Sequence, residues 1–221
     1  MKTSIAGLGP KTEFAIVTGV AFGLFILNGA RHLLFAYGRP AITASHLHGL
    51  IIFEVVTFSG LCWFLRKRNW TAERVGATAS VSDVLVGVGV GVMAYVAFLA
   101  TWMLAALSMP GAVASLSAPT LVGGRLDLLT VLLVSIVNPV FEETFLCGYV
   151  VTALAPGRSA ATAVSVSVGI RVLCHLYQGP LAVGIVPVGL VFAWYYVRTL
   201  RLWPVVIAHA IFDFVALVGY T

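Results

Sequence analysis

The sequence predicts an all-α, polytopic membrane bundle of about seven spans with a cytoplasmic N-terminus, one integral domain over residues 1–221. Three observations predict it. Of the 221 residues, 60% are hydrophobic and only 10% charged, where a soluble domain carries about a quarter charged. The mean hydropathy of +1.03 exceeds what a globular core can absorb, so lipid must be the solvent for most of the chain. Several stretches also reach the roughly 20 apolar residues that cross a hydrocarbon core.

The apolar runs place spans at 13–37, 48–65, 82–108, 128–154, 160–177, 180–197 and 202–220. The first follows Lys2 and Lys11 as a signal peptide would. Its run is long, and no small-x-small cleavage site follows a short core, so it reads as a retained anchor. The second and third are separated by RKRNWTAERVGATASVSD, residues 66–83, the longest polar connection. The fourth holds VFEETFLCGYV, the fifth holds RVLCH and ends near the GP of YQGP, and the seventh holds HAIFD. No repeat, low-complexity tract or soluble domain interrupts the series.

Basic residues set the orientation. With the N-terminus inside, Lys2, Lys11, Arg66, Lys67, Arg68, Arg74, Arg158, Arg198 and Arg201 fall on the cytoplasmic side, and only Arg39 and Arg125 fall opposite. That bias is the positive-inside pattern of a multi-pass protein with an odd number of spans; the short chain, in which no appended domain is visible, leans toward a prokaryotic cytoplasmic membrane. The bias also accounts for the net charge of +5 without a nucleic-acid partner, since no basic patch is interleaved with aromatics. Cys62, Cys147 and Cys174 lie in apolar segments without CxxC spacing. They read as core filler, not as a disulfide framework.

Ionisable groups inside spans are costly and mark functional sites by default. Here they are Arg31, His32, Glu54, Glu142, Glu143, Arg171, His175, His209 and Asp213. Glu142 and Glu143 point about 100° apart around a helix, so one can face a reaction centre while the other takes a structural partner. Arg171 and His175 share a helical face, as do His209 and Asp213. Convergence of the three helices would build a polar cavity within the bilayer. His32, His46 and His48 read instead as structural hydrogen-bonders, and Glu54 as a structural or cavity-lining partner.

The order of a Glu-Glu pair, a His followed by LYQG, and an HxxxD near the C-terminus resembles the CPBP family. These are the CAAX prenyl proteases and bacteriocin-processing enzymes, the glutamate-type intramembrane proteases. Where the family pattern is EExxxR, FxxxH and HxxxN or HxxxD, this chain reads EETFLC, RVLCH and HAIFD. The resemblance covers about residues 138–217, with a family-like catalytic core over about 128–220; the first three spans add only general hydrophobicity. Two positions depart from the pattern: Cys147 stands where the family has arginine, and Arg171 where it has phenylalanine. One reading is that Arg171 supplies from the fifth span the guanidinium that Cys147 cannot, pairing with Glu143. The alternatives are a pair between Arg171 and Glu54, or a member with lost or altered activity.

The resemblance implies an intramembrane endopeptidase acting on a membrane-associated peptide or protein, with no cofactor and no metal. Its catalytic set would be Glu142, His175, His209 and Asp213, supported by Glu143 and Arg171. Glu142 would be the general base, with His175 polarising the water, and His209 and Asp213 would line the developing oxyanion. An ionised Asp213 would repel that oxyanion, so orienting His209 suits it better. A rise of 1.5 Å per residue puts Glu142 and Asp213 roughly 17 Å from the cytoplasmic helix ends and His175 deeper, at roughly 22–24 Å. A tilted or broken fifth helix would remove that mismatch. Three other functions fit the same residues: a zinc protease, though no HExxH is present, a proton-coupled transporter, and an inactive relative serving as scaffold or immunity factor.

Overall fold

The computed structural model describes residues 7–35, 42–109, 111 and 122–221. The described chain is helical: α1 Pro10–Leu34, α2 Ala44–Arg66, α3 Ser82–Ser108, α4 Leu128–Glu143, α5 Ala160–Cys174, α6 Ile185–Thr199 and α7 Trp203–Val218. Each expected segment corresponds to one of these helices. Lys2 and Arg39, used above for orientation, lie outside the described residues.

Five of the helical stretches are long and apolar enough to cross a membrane: Pro10–Leu34, Ala44–Arg66, Ser82–Ser108, Leu128–Gly157 and Leu181–Thr199. The protein is therefore an integral, multi-pass membrane protein. The other two helices, α5 and α7, have 15 and 16 residues. At 1.5 Å per residue they reach about 22–24 Å, short of a hydrocarbon core of about 30 Å. These two short helices carry Arg171, His175, His209 and Asp213. The outer faces of α1, α2 and α3 are strongly apolar and open, with Leu27, Val56, Leu85 and Leu104 each more than 60% exposed. In a bilayer those faces meet acyl chains.

The fourth helix is irregular where it matters most. Asp127 caps it by accepting from the Thr130 amide at 2.8 Å. Hydrogen bonds from Thr130 hold this exposed carboxyl below its ordinary range. The stabilisation from that cap is present at neutral pH and lost as pH falls through the lowered value. Pro139 sits inside the helix, where its missing N–H breaks one rung of the hydrogen-bond ladder. From Thr144 to Val151 the chain is π-helical, a geometry that widens the turn and concentrates at functional positions. Ser167 of α5 donates to the Leu146 carbonyl at 2.9 Å and Tyr196 of α6 to the Gly148 carbonyl at 3.4 Å. Both serve main-chain oxygens of this wide turn.

The fifth helix ends three residues earlier than the sequence suggests. His175 caps it, and the chain continues as a 3-10 segment, Leu176–Gly184, interrupted at Gly179 with φ 64° and ψ −139°. The apolar run does not distinguish this tighter winding from an α-helix, which is why the boundary was not legible.

Two polar locks close the end of the bundle that carries residues 66–83. Buried Glu13 of α1 accepts from Arg68 Nε at 2.6 Å, Trp70 Nε1 at 2.9 Å and Tyr149 Oη at 3.3 Å. Arg201 grips Asp83 at the start of α3, while Trp203 Nε1 donates to the Ala77 carbonyl at 2.8 Å. Gly76 lies between these with φ +67°, and a Cβ there would meet the Leu200 oxygen at 2.1 Å. Gly76→Ala is expected to lower stability by about 2 kcal/mol or more. Gly19→Ala, at an α1 position with nothing within 4 Å, should leave it unchanged or raise it. Thermal unfolding of both variants in the same detergent checks the contrast.

Candidate active site

The site is organised around Glu143, the last residue of α4 before the π-helical turn, whose side chain is 0% exposed. Its Oε2 accepts from Arg171 Nη2 of α5 at 2.7 Å and from Cys147 Sγ at 3.3 Å. Its Oε1 faces His209 Nδ1 of α7 at 2.6 Å. Three helices thus meet on one carboxylate. An ionised carboxylate without partners in so apolar a place is prohibitively costly. The contacts that relieve that cost also fix the positions of α5 and α7 against α4.

Arg171 is the arginine of the fifth span for which the sequence offered Glu143 or Glu54 as partner. Besides Glu143 it reaches Glu142 Oε2 through Nη1 at 3.4 Å, and its guanidinium lies 5.6 Å from the Phe192 ring centroid. Gly189 of α6 makes room for it, since a Cβ there would stand 3.2 Å from Arg171 Cδ. Of the two pairings open at the sequence level, Glu143 is the one present. Glu54 instead takes Asn138 Nδ2 at 2.7 Å.

The two adjacent acids differ as their 100° separation requires. Glu143 is fully buried and saturated, while the Glu142 side chain is 14% exposed, with its contact to Arg171 a long one. Asp213 is more open at 25% and stands 3.5 Å from His209 Nε2 through Oδ1. His209 is therefore held between two carboxylates, one at each ring nitrogen. Such flanking favours the imidazolium, which alone can donate from both nitrogens.

His175 is placed differently. Its Nδ1 lies 2.8 Å from the Arg171 carbonyl, an oxygen that can only accept, so Nδ1 carries a proton and donates there. Its ring stacks on Tyr177 at 6.0 Å. Glu142, Glu143, Arg171, His209 and Asp213 form one connected network, and His175 joins it through the Arg171 backbone.

Glu142, Glu143 and His209 offer donor atoms within 4.8 Å of one another, close enough in principle for a metal ion. The donors are committed elsewhere. Both Glu143 oxygens are taken, and the Arg171 guanidinium lies 2.7 Å from one of them. A divalent ion would have to displace a cation already in place, so the arrangement does not fit one.

Residues 124–215 match the family model for Rce1-like type II CAAX prenyl endopeptidases. The match is confined to this segment. It runs from just before α4 into α7 and includes each residue of the network just described. The first three helices lie outside it. No curated protein and no solved structure matches the chain. The Rce1-like family is a protease family, so the match supports peptidase activity in general.

Sequence reasoning offered Glu54 only Arg171 as a named partner and passed over Asn138, the partner it takes. The available signal was spacing: Asn138 lies four residues before Glu142 on the same helical face, immediately ahead of the helix-breaking Pro139.

Cys147 and Arg171 address the same oxygen of Glu143, which makes the departure from the family pattern testable. Arg171→Phe should cost about 3–5 kcal/mol of stability by stranding Glu143. Adding Cys147→Arg should recover most of it, together with activity. Chemical or thermal unfolding of the single and double variants in detergent reads the rescue directly. A double variant no more stable than Arg171→Phe alone would contradict it.

Proposed function

We propose that this protein is a glutamate-type intramembrane endopeptidase that hydrolyses a peptide bond of a membrane-associated substrate with a Glu142-activated water. The observation that carries the reading is the unequal treatment of the two acids. Glu143 spends both oxygens on Arg171 and His209, while Glu142 stays half-buried with lone pairs to spare. A carboxylate held in an apolar wall and not neutralised by a close ion pair is the form in which an acid serves as a base.

In the proposed reaction a water lies between Glu142 and His175. Glu142 takes its proton, with the His175 Nε2 lone pair accepting a hydrogen bond from the same water. The hydroxide oxygen adds to the substrate carbonyl carbon and the carbonyl π pair moves onto oxygen. His209 Nε2–H stabilises that oxyanion, since its contact to Asp213 is the looser of its two. Asp213 orients the imidazole and favours its cationic form, the role that an aspartate can fill where an amide would instead donate directly. The oxyanion pair then returns, the C–N bond breaks, and the proton held by Glu142 passes to the leaving amine. Arg171 and Glu143 hold the frame. The pair they form weighs against the reading of this chain as an inactive relative, which rested on the departures at Cys147 and Arg171.

The substrate class follows from location. A site on short helices in an apolar bundle is reached by chains that already lie in or on the membrane, such as CAAX-like C-terminal tails, leader peptides or sorting tails.

A general base contributes about 10²–10⁴ in rate, so Glu142→Gln should lower turnover by that order with the fold intact. The test maps peptide termini in membrane and secreted fractions of cells carrying the native protein or Glu142→Gln at matched expression. Termini lost in the variant name the substrate and the scissile bond. Identical maps, with the variant fully rescuing a null strain, would remove proteolysis from consideration. Activity in the purified system should also survive chelators, since no step uses a metal.

A further inference from the structure

Glu54 is a buried acid that the proposed mechanism leaves unused. It lies midway along α2 with 0% exposure. Its Oε1 accepts from Asn138 Nδ2 at 2.7 Å, and its Oε2 is buried and makes no hydrogen bond among the described residues. Through Asn138, Glu54 is tied to the helix α4 that carries Glu142. At the same level α1 presents an aromatic ring, with Phe25 edge-on to Phe53 at 5.4 Å. Because Asn138 and Glu142 share one face of α4, Glu54 sits one turn beneath the general base.

Charge balance decides its state. Around the site stand the carboxyls of Glu54, Glu142, Glu143 and Asp213, and the cations Arg171 and, when doubly protonated, His209. Glu143 and Glu142 contact Arg171, and Glu143 and Asp213 contact His209. Glu54 alone among the four contacts neither. An amide donor does not offset the burial of a full negative charge. We propose that Glu54 is the acid of this site that stays uncharged, and that as a neutral hydrogen-bonding partner of Asn138 it positions the α4 face from which Glu142 projects. With Glu54 neutral, three carboxylates face two cations, and the single negative charge in excess is the one available as a base. Ionised Glu54 would double that excess and strain the whole cluster.

The uncharged state stands on the geometry alone; the positioning role rests on the proposed hydrolytic function. The test therefore has two readouts on the full chain reconstituted in lipid bilayers. Infrared spectroscopy at neutral pH should show the carbonyl stretch of a protonated carboxylic acid in the native protein and lose it in Glu54→Gln. In peptidase assays, Glu54→Gln should retain activity to within about threefold, because the amide preserves a neutral partner for Asn138. Glu54→Leu should lose about 10- to 100-fold by stranding that amide. Absence of the protonated-acid band, or its survival in Glu54→Gln, overturns the uncharged assignment whether or not the protein proves to be a protease. Loss of activity in a folded Glu54→Gln equal to that in Glu54→Leu, or full activity in Glu54→Leu, overturns the positioning role.

Discussion

The buried carboxylate of Glu143 is the constraint from which the rest of the site follows. Lipid and packed side chains offer it no water, so each oxygen must find a donor in protein. The donors come from α5 and α7, the two helices least able to settle in a bilayer by length alone. Ordinary apolar packing would let those short helices slide or rotate at little cost. A hydrogen-bonded ion pair at 2.7 Å and an imidazole contact at 2.6 Å do not, because misalignment by an ångström or two exposes a bare charge to hydrocarbon. The same contacts that satisfy Glu143 therefore set the register of Arg171, His209 and, one turn along each helix, His175 and Asp213.

Local irregularity complements this anchoring. Pro139 weakens the ladder just before the acidic pair and the π-helical turn widens the backbone just after it. Two consecutive glutamates on a regular helix would diverge by 100° and both stay tied to the same axis. Here they occupy the junction between two windings, with Glu143 saturated and fully buried and Glu142 less buried beside it. The Phe22, Phe53, Phe141 and Phe145 rings pack edge-on around this junction. A rigid aromatic wall thus backs the side of α4 that carries no chemistry.

Much of this was legible in the sequence, for reasons that can be named. Helices dominate because lipid forbids unsatisfied backbone, so the apolar runs marked all seven. Opposite charges in lipid must find each other, so Arg171 had few partners to choose from, and Glu143 was one of them. The boundary of α5 was not legible, because LYQGPLAVG is as apolar wound as a 3-10 turn as it would be in an α-helix. The π-helical turn left no mark in TFLCGYVV, whose composition suits either winding. Asn138 was overlooked because an uncharged amide in a span raises no alarm by cost alone, and Gly189 because the reason for its missing side chain is an arginine on another helix.

The central claim is that Glu143 and Arg171 act as one energetic unit tying α4 to α5. A double-mutant cycle measures this most directly, using Glu143→Gln, Arg171→Gln and the pair together, with unfolding free energies determined in the same lipid or detergent. The account predicts a coupling of about 2 kcal/mol or more, the double variant being less damaged than the sum of the singles. Additivity to within about 0.5 kcal/mol would contradict it, leaving the convergence of the three helices to packing alone.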